Sequence, residues 1–193
     1  DGANFLGTHW GDRADFQSVQ LGRHANFQSA SWGGKPNFEG AQWGNTASFT
    51  AACWGDEANF DGAQWGRQTN FQAAQWGARS SFIGARWGDW TNFQGTLWGD
   101  RCNFRDAQWG FEANFNRANW GDRADFQRAQ WGDEANFKET RWGDTANFHG
   151  AQWGEWADFG GAHWGYATSF QDAQWGEGAA FHLALWGAAS NFL

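Results

Sequence analysis

Methionine is absent from this chain of 193 residues, proline and tyrosine occur once each, and cysteine occurs twice. Cys53 and Cys102 are 49 positions apart and occupy different places in the repeat described below. That argues against a mutual disulfide, whose Cα atoms must lie within about 7 Å. Long apolar runs are missing too: mean hydropathy is −0.76, and no stretch approaches a membrane span. Positive charge is in the minority, with 13 Lys and Arg against 21 Asp and Glu for a net charge of −8. A nucleic-acid binder built on a basic face is not expected from that balance. The five histidines (His9, His24, His149, His163, His182) include no pair at metal-ligand spacing. No Ser–His–Asp pattern and no phosphate-loop signature occurs. These absences leave no enzyme, no cofactor and no metal to expect.

What is present is one unit, repeated. Asp56 to Gly66 reads D-E-A-N-F-D-G-A-Q-W-G, and seventeen copies of eleven residues plus a six-residue stub fill the chain without insertion or deletion. Numbering the unit from Asp56, position 5 is always Phe and position 11 always Gly. Position 10 is Trp in sixteen of seventeen copies, with Leu21 the exception. Positions 3 and 8 are small, position 4 is mostly Asn or Asp, and positions 1, 2, 6, 7 and 9 carry nearly all the charge.

An α-helix does not fit this unit. At about 100° per residue, positions 5 and 10 lie roughly 140° apart and share no stripe. An obligatory Gly every third turn would cost about 1 kcal/mol each time. Alternation fits instead: positions 3 and 5 point one way on an extended segment, as do 8 and 10, while 4 and 9 point the other way. Each unit is then two short extended segments with small and aromatic residues inside. Gly at position 11 suits a corner, where positive φ or close backbone approach is expected. A single unit cannot bury its own aromatic face, so neighbours must stack into a solenoid.

At both half-units the sequence resembles the pentapeptide-repeat family, whose motif is A-(D/N)-(L/F)-x-x. Ala58-Asn59-Phe60-Asp61-Gly62 matches it fully, and Ala63-Gln64-Trp65-Gly66 followed by Arg67 matches it with Trp at the centre. The resemblance covers the whole chain. It implies an all-β fold, a right-handed quadrilateral β-helix with four half-units to a coil. Residues 1–193 would form one such solenoid.

The coil length has its own signal. Position 9 is Gln in seven of eight even copies, Arg86 being the exception, but only at Gln75 among the odd ones. A 22-residue period therefore underlies the 11-residue one, with a Gln ladder along one face as its reason. Nearly nine coils at roughly 4.8 Å give a rod of about 42 Å. One unit per coil, the rival scheme, would give a rod about twice as long.

The expected core is the aromatic set: Phe5, Trp10, Phe49, Trp54, Phe60, Trp65, Phe104, Trp109, Phe148 and Trp153, with their equivalents. Pro36 at position 3 costs a ladder bond unless that site lies at a turn or edge. Extra aromatics at positions 1 and 2 (Trp90, Phe111, Trp156, Tyr166) fall at corners and are candidate surface contacts; Trp90 and Trp156 share one edge, three coils apart. After Glu177 no charged residue follows, and Leu183 and Leu185 replace polar residues. Phe181, Leu183, Leu185 and Leu193 are thus candidate end-to-end contacts. The chain opens on position 1 and stops in mid-unit, as a processed form or a piece of a longer array would.

The leading expectation is a non-catalytic structural or self-assembling β-solenoid, an extracellular or surface filament element whose partner is itself, end to end or through a C-terminal dimer. The alternative follows from the resemblance: some pentapeptide-repeat proteins look like acidic DNA rods and bind topoisomerases such as DNA gyrase. The partner would then be a protein that recognises an acidic surface. Ice or glycan binding fits less well, because Thr8, Thr96 and Thr140 fall at the inward position 8.

Overall fold

The computed structural model describes residues 1–192; Leu193 lies outside the described residues. Two-residue strands recur at positions 9 and 10 of every copy from β1 (His9–Trp10) and β2 (Gln20–Leu21) to β15 (His163–Trp164) and β16 (Gln174–Trp175). Odd-numbered strands form one parallel eight-stranded sheet and even-numbered strands another. Pairing always joins residues 22 apart, as in Trp43↔Trp65 and Trp54↔Trp76. Single bridges at position 4 add two more ladders in the same register, such as Asn26↔Ser48 and Asn37↔Asn59. Four ladders around one axis make a right-handed quadrilateral β-solenoid of 22 residues per coil. The 11-residue coil is excluded, because no unit pairs with its immediate neighbour in sequence.

The corners fall at positions 1–2 and 6–7. Every residue at positions 2 and 7 adopts the left-handed conformation, with φ from 52° to 61° for the non-glycine ones. Arg, Glu, Thr and Trp do not seek that region, and each visit costs roughly 1–2 kcal/mol. The ladder imposes it: a left-handed residue turns its N–H along the axis to the carbonyl of the next coil, as Glu57 does to Ala78 at 2.8 Å and Gly62 to Ile83 at 2.8 Å.

Of the two reasons expected for Gly at position 11, close backbone approach is the one that holds. Its φ is not positive; positive φ belongs to positions 2 and 7. A Cβ on Gly99 would stand 2.5 Å from the Ala78 nitrogen and 2.6 Å from the Gly77 carbonyl carbon, both backbone atoms of the preceding coil. The coils touch there, and only Gly fits.

Nearly every backbone N–H of a unit can be followed to an acceptor. Positions 2, 5, 7 and 10 donate to the next coil, positions 4, 9 and 11 to the previous one, and position 8 to the Phe carbonyl three residues back. Positions 1 and 6 lack a backbone acceptor and use side chains. Asp56 Oδ1 accepts the Ala78 N–H from the next coil at 2.9 Å, and Asn59 Oδ1 accepts the Asp61 N–H at 3.0 Å. Position 3 is not a ladder donor, so Pro36 removes no bond, and its carbonyl still accepts from Asn59 at 2.9 Å.

Inside, Phe stacks on Phe and Trp on Trp, one rung per coil. Phe38–Phe60–Phe82 are spaced 4.7 and 4.8 Å with ring planes within 3°. Trp43, Trp65, Trp87, Trp109 and Trp131 follow at 4.8 Å throughout. Each Trp also meets the next Phe nearly at right angles, as Trp54 does Phe60 at 5.6 Å and 83°. Such offset and edge-to-face pairs contribute about 0.5–1.5 kcal/mol each beyond area burial.

Candidate interaction surfaces

The inward side chains leave nothing for a ligand. Phe49, Trp54, Phe60, Trp65, Phe104, Trp109, Phe148 and Trp153 are all buried, while Phe5 and Trp10 in the first coil are half-buried because only one side is covered. Among the described residues no group of His, Cys, Asp and Glu could hold a metal ion, and no helix could cross a membrane. Three of the histidines are tied to neighbouring coils: His9 to Ser31 at 2.6 Å, His24 to Thr46 at 2.7 Å and His149 to Asp172 at 3.7 Å. Arg117, Asn119, Glu139, Arg141, Gly161 and His163 line a shallow open concavity.

The amide ladder differs from the one the sequence indicates. Gln42, Gln64, Gln108 and Gln130 stack in register on one face, yet no Gln–Gln hydrogen bond joins them among the described residues. The bonded amides are the asparagines of position 4: Asn59 Nδ2 donates to Asn37 Oδ1 at 3.3 Å, and Asn114 Nδ2 to Asn92 Oδ1 at 3.3 Å. Asn is short and already anchored by the turn N–H it accepts, whereas Gln reaches into solvent and would lose more rotamer freedom.

Surface charge is organised by edge. Ion pairs link successive coils at Lys35–Glu57 (3.0 Å), Arg79–Glu57 (2.7 Å), Arg117–Glu139 (2.8 Å), Arg128–Asp106 (2.7 Å) and Lys138–Asp158 (2.8 Å). Hydrogen bonds from Arg79 and Lys35 hold Glu57 below the ordinary carboxylate range; Arg128 does so for Asp106 and Arg117 for Glu139. One edge departs from this pattern. Positions 1–2 of the odd copies carry Asp89, Glu112, Asp133, Glu134, Glu155 and Glu177 with no Lys or Arg from Asp89 onward. Trp90, Phe111 and Trp156 stand on that same edge, whereas Tyr166 is on the diagonally opposite one. Only the first three are therefore brought together.

At the C-terminal end Leu183 and Leu185 are 74% and 56% exposed, while Phe181 is half-buried against the coil before it. The structure adds Trp186 and Phe192, at 38% and 48%, whose outer ring faces are uncovered. Both follow from the repeat positions of any last coil. Leu193 lies outside the described residues.

The family comparison agrees with this geometry. Residues 126–174 match the family described as Pentapeptide repeats (9 copies). The same eleven-residue unit runs in register on both sides of that segment, so the similarity to pentapeptide repeats extends along the chain. Among solved structures it is similar to HetL, a pentapeptide repeat protein involved in heterocyst differentiation regulation from the cyanobacterium Nostoc sp. strain PCC 7120, at 17% identity over 90% of this chain and 87% of that one, with a TM-score of 0.36. It is also similar to QnrB1, a plasmid-mediated fluoroquinolone resistance protein, at 15% identity over 96% and 90% of the two chains, with a TM-score of 0.37. No protein of curated function matches the sequence.

Proposed function

We propose that this chain is a non-catalytic structural rod that associates end to end. The observation behind it is the constant 22-residue register: a first coil and a last coil present complementary open ladder edges, β1 and β2 at one end, β16 and the Leu185 segment that pairs with β15 at the other. Unpaired strand edges are templates for further strands unless charge or a cap blocks them. The last described coil presents Leu183, Leu185, Trp186 and Phe192 at its exposed side. Stacking a first coil on it would continue one Trp column through Trp10, set Leu21 on the other column and cover those rings. Electron microscopy at several protein concentrations tests this directly. Strings or fibres that shorten in a Leu183→Lys, Leu185→Glu variant are expected; discrete single rods at every concentration would remove the reading.

A second reading takes the row of carboxylates from Asp89 to Glu177 as its observation. It makes the rod an acidic decoy for a DNA-binding protein such as DNA gyrase. Against it, the acids elsewhere are interleaved with arginine, as at Asp100-Arg101 and Asp122-Arg123. A gyrase supercoiling assay with no inhibition by the purified rod would dispose of it.

A further inference from the structure

Trp90 and Trp156 are 44% and 59% exposed, and they lie on one edge of the rod three coils apart, about 14 Å at the strand spacing. Each is held in place. The Trp156 ring lies over Gly178 of the next coil, where any Cβ would collide with it. The Trp90 ring meets Phe111 of the next coil edge-on, at 6.1 Å and 87°. Both residues take the left-handed backbone at φ 58° and 60°, as position 2 does throughout. Between and beside them stand Glu112, Asp133, Glu134, Glu155 and Glu177. Among the described residues, none of these five reaches a cation, whereas Asp89 at the row's start pairs with Arg67 at 3.1 Å. Carboxylates stacked one coil apart repel one another, and among the described residues no cation pairs with these to offset that repulsion.

We infer that this edge docks an extended cationic segment of a partner protein. Arginine side chains would lie on the Trp90 and Trp156 rings, with the intervening carboxylates meeting their charge. Indole faces attract guanidinium groups, and the attraction grows when the site is partly desolvated. An extended chain advances roughly 3.3–3.4 Å per residue, so four residues cover the ~14 Å between the two rings. Residues i and i+4 also point to the same side. The edge therefore selects arginines spaced four apart. The diagonally opposite edge offers the contrast: Tyr166 stands alone there, and Asp100 and Asp122 are each followed by Arg. Because the edge runs along the side of the rod, its occupancy is separable from contact at the ends.

The experiment is fluorescence anisotropy with two labelled ten-residue peptides of equal charge, one carrying arginines at i and i+4, the other at i and i+3. Trp90→Gly and Trp156→Gly remove each ring without disturbing the left-handed backbone, and Tyr166→Ala serves as the distant control. The i, i+4 peptide is expected to bind at least tenfold more tightly than the other. Each Trp variant should weaken that binding at least tenfold, and Glu134→Gln should reduce its salt dependence. Circular dichroism confirms that the variants fold. Equal binding of the two peptides, or binding unchanged in the double Gly variant, overturns the proposal, since that is unspecific attraction to a negative rod.

Discussion

The Thr96 hydroxyl accepts the Trp98 indole N–H at 3.0 Å and donates to the Phe93 carbonyl at 2.9 Å. Thr140 makes the same bridge between Trp142 (3.1 Å) and the Phe137 carbonyl (2.8 Å). In the other interior coils position 8 is Ala, and the indole nitrogens of Trp32, Trp54, Trp76 and Trp120, among others, are buried without an acceptor. The bridged rings are displaced along the column: Trp76–Trp98 closes to 3.8 Å while Trp98–Trp120 opens to 6.3 Å.

An unpaired buried donor costs about 1–3 kcal/mol. Thr96→Ala should therefore lower the stability by about that amount, and Ala52→Thr, which places a hydroxyl beside Trp54, should raise it. Chemical denaturation of both variants is the check. A Thr96→Ala protein as stable as its parent would mean that the ring face of a neighbouring Phe already satisfies the N–H.

Two glycines separate close approach from backbone conformation. Gly99→Ala drives a Cβ into the backbone of the coil before it and should destabilise by at least 1–3 kcal/mol. Gly62→Ala meets open space at φ 64° and should cost only about 1 kcal/mol. Reversal of that order in thermal melts would contradict the contact at position 11.

Trp54 is 3% exposed and stacks on Trp32 at 5.0 Å and Trp76 at 4.7 Å. Trp54→Ala should cost about 3–5 kcal/mol, and Trp10→Ala clearly less, because the first coil has one neighbour. Equal melting points for the Trp54→Ala and parent proteins would sink the stacked-column account.

Glu57, Asp106 and Glu139 have folded pKa values below their ordinary ones, through Arg79 and Lys35, Arg128 and Arg117 respectively. A depressed carboxylate pKa stabilises the fold above the unfolded value and loses that contribution as pH falls through the folded one. Melting temperature should thus be level near neutrality and fall below about pH 4. The pairs are exposed, so 0.5 M salt should shrink the effect. A rise in melting temperature on acidification would contradict the pairing.

Cys102 is buried, and desolvation pushes its thiol pKa up to about 12. Cys53 is partly exposed on the odd face. A thiol reagent at pH 8 should modify one cysteine in the folded protein and two after denaturation, counted by mass spectrometry. Modification of both without unfolding would place Cys102 outside the core.

Much of the fold is legible in the residues. Phe at position 5 and Trp at position 10 mark the interior, and the parity of Gln at position 9 gives the coil length. The Asx side chains that serve the N–H groups of positions 1 and 6 could have been found by counting donors, as could the indole N–H groups of the Ala-bearing coils. The left-handed corners could not. Arg13, Glu57, Trp90 and Ala167 share no propensity for positive φ, and only the ladder requires it of them.

The sequence by itself determined the period, the inward set and the parallel register, because stacking like on like is the one arrangement that buries an aromatic in every half-unit. Only the tertiary structure decided which surface residues meet. Trp90, Phe111 and Trp156 share an edge and Tyr166 does not, while Asn rather than Gln carries the amide ladder. Those outcomes depend on side-chain length and on where the four corners fall around the axis, which residues 22 apart in sequence settle only once the coil has closed.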